Sequence, residues 1–194
     1  MEYKYNIEEE REAHLGARTL VSQDSGKEQF PVVDEEGGVL GSMTRAEAHC
    51  GTKRLHPVVH LHVFNSEGSL YLQRRAPWKE VQPGKWDTAT GGHVDYGETV
   101  GEALSREVYE EIGLRPDEYL PRLLGKYVYE SDIERELVYV FVTTFDGELS
   151  PSATETTGGR FWTKDELYAA VGHNLLTPMF EKEMGRMNLL NLAN

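Results

Sequence analysis

The stretch 92–114, GHVDYGETVGEALSREVYEEIGL, constrains this chain more than any other. A glycine-bearing turn at Tyr96 and Gly97 leads through Glu98 to Thr99, whose hydroxyl suits a helix N-cap. Val100, Leu104, Val108 and Ile112 recur at every fourth position, so a helix reaching Ile112 would bury them as one stripe. Gly113 then ends the helix as a C′ glycine does. At about 100° per residue, Glu107, Glu110 and Glu111 fall within roughly a third of the circumference, on the shoulder of the apolar stripe rather than opposite it.

Carboxylates at i, i+3 and i+4 repel one another, and a bare helix gains nothing from them. A hard divalent cation reverses that sign: Mg²⁺ takes a few carboxylate oxygens, keeps several waters and bridges to phosphates. Arg106 is expected to hold the row through Glu102 or Glu110. An acidic cluster alone is ordinarily a solvated face, but here a turn, a cap, an arginine and a terminal glycine accompany it. The whole reads Gly-x5-Glu-x7-Arg-Glu-hydrophobic-x-Glu-Glu-x-Gly-hydrophobic and departs from that pattern nowhere. It resembles the box that defines the Nudix superfamily. The resemblance implies an α+β fold, an α-β-α sandwich with a mixed sheet.

The 194 residues predict one domain, over 29–194, with residues 1–28 as a polar, acidic arm carrying one short helix near 7–15. A net charge of −13 argues against a nucleic-acid polymer as partner, because association would add repulsion. Phosphorylated small molecules stay compatible where metals and local cations screen them. The single cysteine, Cys50, excludes an internal disulfide framework and suits a reducing cytoplasm. No apolar run approaches ~18 residues and the N-terminus lacks an apolar signal core, so neither membrane nor export is expected. A homodimer is left open.

Along the chain, 30–42 predicts two short strands around Asp-Glu-Glu-Gly-Gly, and Thr44 caps a short helix from Arg45 to about Cys50. Residues 58–65 and 69–75 predict a hairpin around Glu67-Gly68, and 86–94 an extended run into the motif. Residues 123–130 and 136–145 form a third strand pair, 160–163 a last strand, and 165–171 and 178–192 two helices. Mixed strands with few helices mean an α+β sandwich.

His49, His56 and His93 are far apart in sequence, while Glu134 and Glu136 project to one side of an extended chain. From Phe30 to about Leu149 the chain resembles the isopentenyl diphosphate isomerase branch of the superfamily, through VVDEEGGVLGSMTRAEAH, LHPVVHLHVFNSEG, LQRRAPWKEVQPGKWDTA and IERELV. The resemblance implies a divalent-metal site of His49, His56, His93, Glu134 and Glu136, and diphosphate contacts from Arg75 and Lys79. Three imidazoles suit Zn²⁺, Mn²⁺ or Fe²⁺. The isomerase cysteine, however, is replaced by Gly91, which offers no thiol or proton.

The resulting expectation is a Mg²⁺- or Mn²⁺-dependent hydrolase of a diphosphate linked to another group, with water attacking phosphorus. Glu107, Glu110 and Glu111 hold the metals, Glu98 orients the helix or assists, Arg106 partners the carboxylates, and Glu155 is a candidate base or extra ligand. His60 and His62 share one strand face and either line the pocket or pack. The alternatives are isopentenyl-diphosphate isomerisation, if Gly91 is dispensable, and a non-catalytic Nudix-fold binding module.

Overall fold

The structure, a computed structural model, describes residues 28–79 and 81–192. The expected arm, apart from Glu28, and its short helix lie outside the described residues. The elements in chain order are β1 (Gln29–Val33), β2 (Val39–Thr44), α1 (Arg45–Ala48), β3 (Leu55–Phe64), β4 (Leu70–Arg75), β5 (Trp86–Asp87), β6 (Thr90–His93), α2 (Val100–Ile112), β7 (Arg122–Glu130), β8 (Arg135–Thr144), β9 (Thr156–Trp162), α3 (Lys164–Ala170) and α4 (Pro178–Arg186). A 3-10 turn, Leu189–Asn191, follows α4.

β3 is the axis of the fold, and all ten of its residues are buried. It pairs in parallel with β8 along its whole length, from Leu55↔Arg135 to Phe64↔Thr144. On its other side β3 meets β4 only at Phe64↔Leu70 and then diverges, so that β6 takes its place opposite Val58 to Leu61. The predicted hairpin therefore forms at its tip and opens toward its base, where β5 takes the place of β3 beside β4, while β9 pairs with β4 from Leu70 to Arg75. This fork in the sheet creates the cleft between β6 and the β4–β5 pair.

The period of two sorts β3 into two faces. Val59, Leu61 and Val63 face α2, where Leu104, Val108 and Ile112 complete the first core. His56, Val58, His60 and His62 face the other way, toward β7, β8 and α4. The expected sandwich is present, with the mixed sheet between α2 and α4. Thr99 caps α2 through a reciprocal box with Glu102, and Gly113 closes it in the left-handed region at φ 76°. The terminal helix ends at Arg186 rather than running to Leu192, because Asn188 turns left-handed at φ 52°.

Leu104 is 1% exposed at the centre of the first core. Leu104→Ala should cost about 2–5 kcal/mol in chemical denaturation, whereas truncating exposed Tyr109 on the same helix should cost far less.

Candidate active site

Arg106 organises the motif helix. Its Nε donates to Glu98 Oε1 and its Nη2 to Glu98 Oε2, both at 2.9 Å, in a two-toothed pair. Nη1 donates to Glu107 Oε1 at 2.7 Å and stands 3.6 Å from Glu110 Oε2, while Nη2 also reaches the His93 carbonyl at 2.9 Å. Of the two partners expected, Glu110 lies at the margin and Glu102 is spent on the cap. The principal partners are Glu98 and Glu107. Glu98 also accepts from the Asp95 amide at 3.0 Å, so it orients the helix entrance.

Burial outweighs Arg106 at Glu107 and pushes its carboxyl up to about 7. Burial likewise raises Glu111 to about 7, against hydrogen bonds from Gln73 Nε2 (2.8 Å) and the Gly91 amide (3.4 Å). Neither donor to Glu111 carries a charge. Glu110 is the exposed member of the row. A Cβ on Gly92 would overlap the Glu107 carboxyl, so a side chain there would displace that carboxyl from its place beside Arg106.

The remaining expected residues ring the cleft. Arg75 Nη1 meets Asp87 Oδ2 at 3.2 Å, and the Lys79 ammonium pairs with Glu155. The loop before β9 is pinned to the end of α2 by the Ser152 amide on the Glu111 carbonyl (2.8 Å) and the Ser150 amide on the Ile112 carbonyl (3.0 Å), which brings Glu155 alongside. Burial, with the charge of Arg75, holds the Lys79 amine below its ordinary range.

A second cluster sits across the sheet. One ligand atom each from His56, His93 and Glu136 lies within 4.8 Å of the other two. His49 joins beside them, its Nδ1 bonded to Glu134 Oε2 at 2.6 Å. His56 donates Nδ1–H to the Arg54 carbonyl at 3.1 Å, which leaves the lone pair on Nε2. Among the described residues, His49 Nε2, His56 Nε2, His93 Nε2 and Glu136 Oε2 are all buried without a hydrogen-bond partner. Burial lowers both His56 and His93, so each imidazole is neutral, as ligation needs. Burial and Glu134 raise the Glu136 carboxyl to about 7. Orphaned lone pairs converging in a dry site fit a divalent metal.

Sequence reasoning passed over Gln73, Asp87 and Glu183. Glu183 is wholly buried on α4, where it accepts from His60 Nδ1 (2.9 Å), His62 Nε2 (2.6 Å) and the Tyr127 hydroxyl (2.7 Å). The signal was there: Glu183 interrupts the apolar face of Phe180, Met184 and Met187, where a carboxylate is out of place without partners.

Residues 54–181 match the NUDIX domain, and the chain belongs to the Nudix family. It is 31% identical to an isopentenyl-diphosphate Delta-isomerase of Leifsonia xyli, over 66% of this chain and 73% of that protein. It is 35% identical to an uncharacterized Nudix hydrolase of Pseudomonas aeruginosa, over 71% of this chain and 79% of that one. The crystal structure of DR0079 from Deinococcus radiodurans superposes with a TM-score of 0.72 at 26% identity, covering 82% of this chain and 99% of the other. A MutT protein from Methanosarcina mazei gives 0.60 at 25%, with 72% and 97% covered.

Burial pulls the His60 imidazole down, but the Glu183 charge and hydrogen bond carry it up to about 9. Burial opposes ionisation of Glu183, and His60 and His62 nevertheless hold it below the usual carboxylate range. A raised histidine stabilises fully below its unfolded value of 6.5 and loses that contribution as pH climbs through about 9. A lowered carboxylate stabilises above its unfolded value of 4.5 and loses it as pH falls toward its folded value. The gap in melting temperature between native protein and Glu183→Gln, in chelator, should therefore be widest between those two unfolded values and should shrink as pH rises through about 9. A gap independent of pH would contradict the assignment.

Proposed function

We propose that the chain is a cytoplasmic, divalent-metal-dependent hydrolase of a diphosphate linked to another group. One observation carries the reading: Glu107 and Glu111 are two half-buried carboxylates, Glu107 is bonded to one guanidinium, and Glu111, among the described residues, accepts from neutral donors only. Such a pair calls for a cation. A bound Mg²⁺ or Mn²⁺ supplies charge neutralisation and an activated water.

The chain's own residues do the rest. Glu107, Glu110 and Glu111 would hold the ion; Arg106 fixes Glu107 and, through Glu98, the helix entrance. Arg75 and Lys79 offer a planar fork and a point charge to phosphoryl oxygens. Glu155, on releasing Lys79 to substrate, would be free to accept a proton or to serve as a further ligand.

The likeness to an isopentenyl-diphosphate isomerase and the metal-competent His56, His93 and Glu136 group favour isomerisation as a second reading. Gly91 opposes it, because it leaves proton transfer without a second acid-base group. Phosphate release from a panel of nucleotide and prenyl diphosphates with Mn²⁺ separates these readings, and silence across the panel together with no isomerised prenyl product would leave a binding module.

Glu111→Gln and Glu110→Gln should each lower turnover on any substrate so found by about 100-fold or more. Neither should lower the metal-free melting temperature, because both relieve carboxylate repulsion. Undiminished activity in both would overturn the assigned metal site.

The second cluster, on this proposal, holds Zn²⁺, Mn²⁺ or Fe²⁺ independently of α2. Elemental analysis after metal loading and dialysis should find tightly bound metal in the native protein and in Glu110→Gln, and none in His56→Ala. Metal-free native protein would count against the site.

A further inference from the structure

The buried group around Glu183 contains two histidines that are not equivalent. His62 uses both ring nitrogens, Nε2 on Glu183 and Nδ1 against Thr88 Oγ1 at 3.3 Å, and is wholly buried. His60 uses only Nδ1, which meets both oxygens of Glu183 at 3.1 and 2.9 Å. Its opposite edge, with Nε2, has no hydrogen-bond partner among the described residues, and the residue keeps 8% of its surface.

That edge owes its freedom to Gly91. His60 and Gly91 are cross-strand partners, and a Cβ on Gly91 would stand 3.1 Å from His60 Cδ2 and 3.3 Å from Nε2. Any longer side chain would cover the nitrogen. The Gly91 amide in turn contacts Glu111 of the motif helix. Asp87 acts electrostatically on both His60 and Glu111, and it binds Arg75. The free edge of His60 thus borders the fork in the sheet where the Nudix carboxylates and Arg75 meet.

The charge on Glu183 must be balanced, and in the described structure its bonded partners are His60, His62 and Tyr127, with no lysine or arginine among them. His62 and Tyr127 already occupy one carboxylate oxygen each, which suffices to pin α4 to the sheet. A further imidazole held through Nδ1 by a carboxylate, with Nε2 open, is the arrangement by which proteins aim an imidazole at a ligand. Glu136 and Asp87 also face this imidazole, so the neighbourhood favours its protonated, donating form.

We propose that His60 is a substrate-contacting residue of the Nudix site, donating Nε2–H across Gly91 to a phosphoryl oxygen of the diphosphate. The proposal rests on the reading that this cleft binds a diphosphate. It gives the cleft a cationic donor on the wall opposite Glu111, while Arg75 and Lys79 serve the rim. A charged donor of this kind binds an anion more firmly than a neutral one.

The probe is methylenediphosphonate, which cannot be hydrolysed at its bridge, added with Mg²⁺ to the full chain. Imidazole ¹⁵N NMR should show the His60 Nε2 resonance shifting on titration while those of His62 stay in place. His60→Asn keeps a donor for Glu183 near the Nδ1 position and removes Nε2–H; it should weaken diphosphonate binding about tenfold with Mg²⁺ affinity unchanged. His62→Asn should lower thermal stability and leave diphosphonate affinity as it was. If native protein binds the probe, Glu111→Gln weakens it, and the His60 resonance nevertheless stays fixed, the role of His60 is overturned while the hydrolase reading stands. If native protein binds no probe at all, both fall. Should His60→Asn fail to fold, the native titration alone decides.

Discussion

The fork of Arg106 is the interaction on which both clusters depend. Two teeth lock Glu98 at the helix entrance, a third holds Glu107 in the row, and Nη2 also ties down the carbonyl of His93. A lysine would supply the charge but not this set of fixed directions. The guanidinium therefore does more than balance acidic charge: it ties α2 to β6, and so the carboxylate row to the strand that carries His93. The ion pair is also incomplete in a useful way. Burial still raises Glu107 to about 7, so one guanidinium leaves capacity for a cation beside it.

Three consecutive residues of β6 divide the labour between neighbouring sites. Gly92 has no side chain because Glu107 occupies that space, and Gly91 has none where His60 presents its edge. His93 sends its imidazole to the second cluster, stacked 4.3 Å from the Phe30 ring at an interplanar angle of 2°. The β1–β2 hairpin, which carries Phe30, thereby walls the histidine cluster without contributing a ligand. Replacement of the isomerase-type cysteine by Gly91 is on this view more than a loss of chemistry, since it opens a line from β3 to the motif helix.

Features written in local sequence were legible, and features made by distant pairing were not. The cap, stripe and terminal glycine of α2 are set by residues within one or two turns, so the helix, its buried face and its acidic shoulder could all be read directly. The expectation of a five-residue metal constellation came only through resemblance, because its members span 49–136; the structure brings the ligand atoms of His56, His93 and Glu136 together and sets His49 with Glu134 beside them. The parallel register of β3 on β8 and the fork of β3 away from β4 depend on which strand wins an edge, and no short pattern encodes that choice. Glu183 escaped because a helical face was read for its apolar members. Its partners, His60 and His62, lie more than a hundred residues earlier.

β3 carries an instructive contrast between two histidines on the same face. His56 and His60 are both buried, and desolvation pulls each toward the neutral form. What separates them is the acceptor on Nδ1. His56 donates to a backbone carbonyl, a neutral group, and desolvation prevails; the imidazole keeps a lone pair on Nε2 and can ligate a metal. His60 donates to the carboxylate of Glu183, whose charge in a dry setting outweighs desolvation, and the ring stays protonated. One strand thus carries a neutral imidazole and a charged one two strand repeats apart, with the choice made by the group behind each ring. In a chain of net charge −13, an imidazolium held by Glu183 is a local reversal of the overall acidic field.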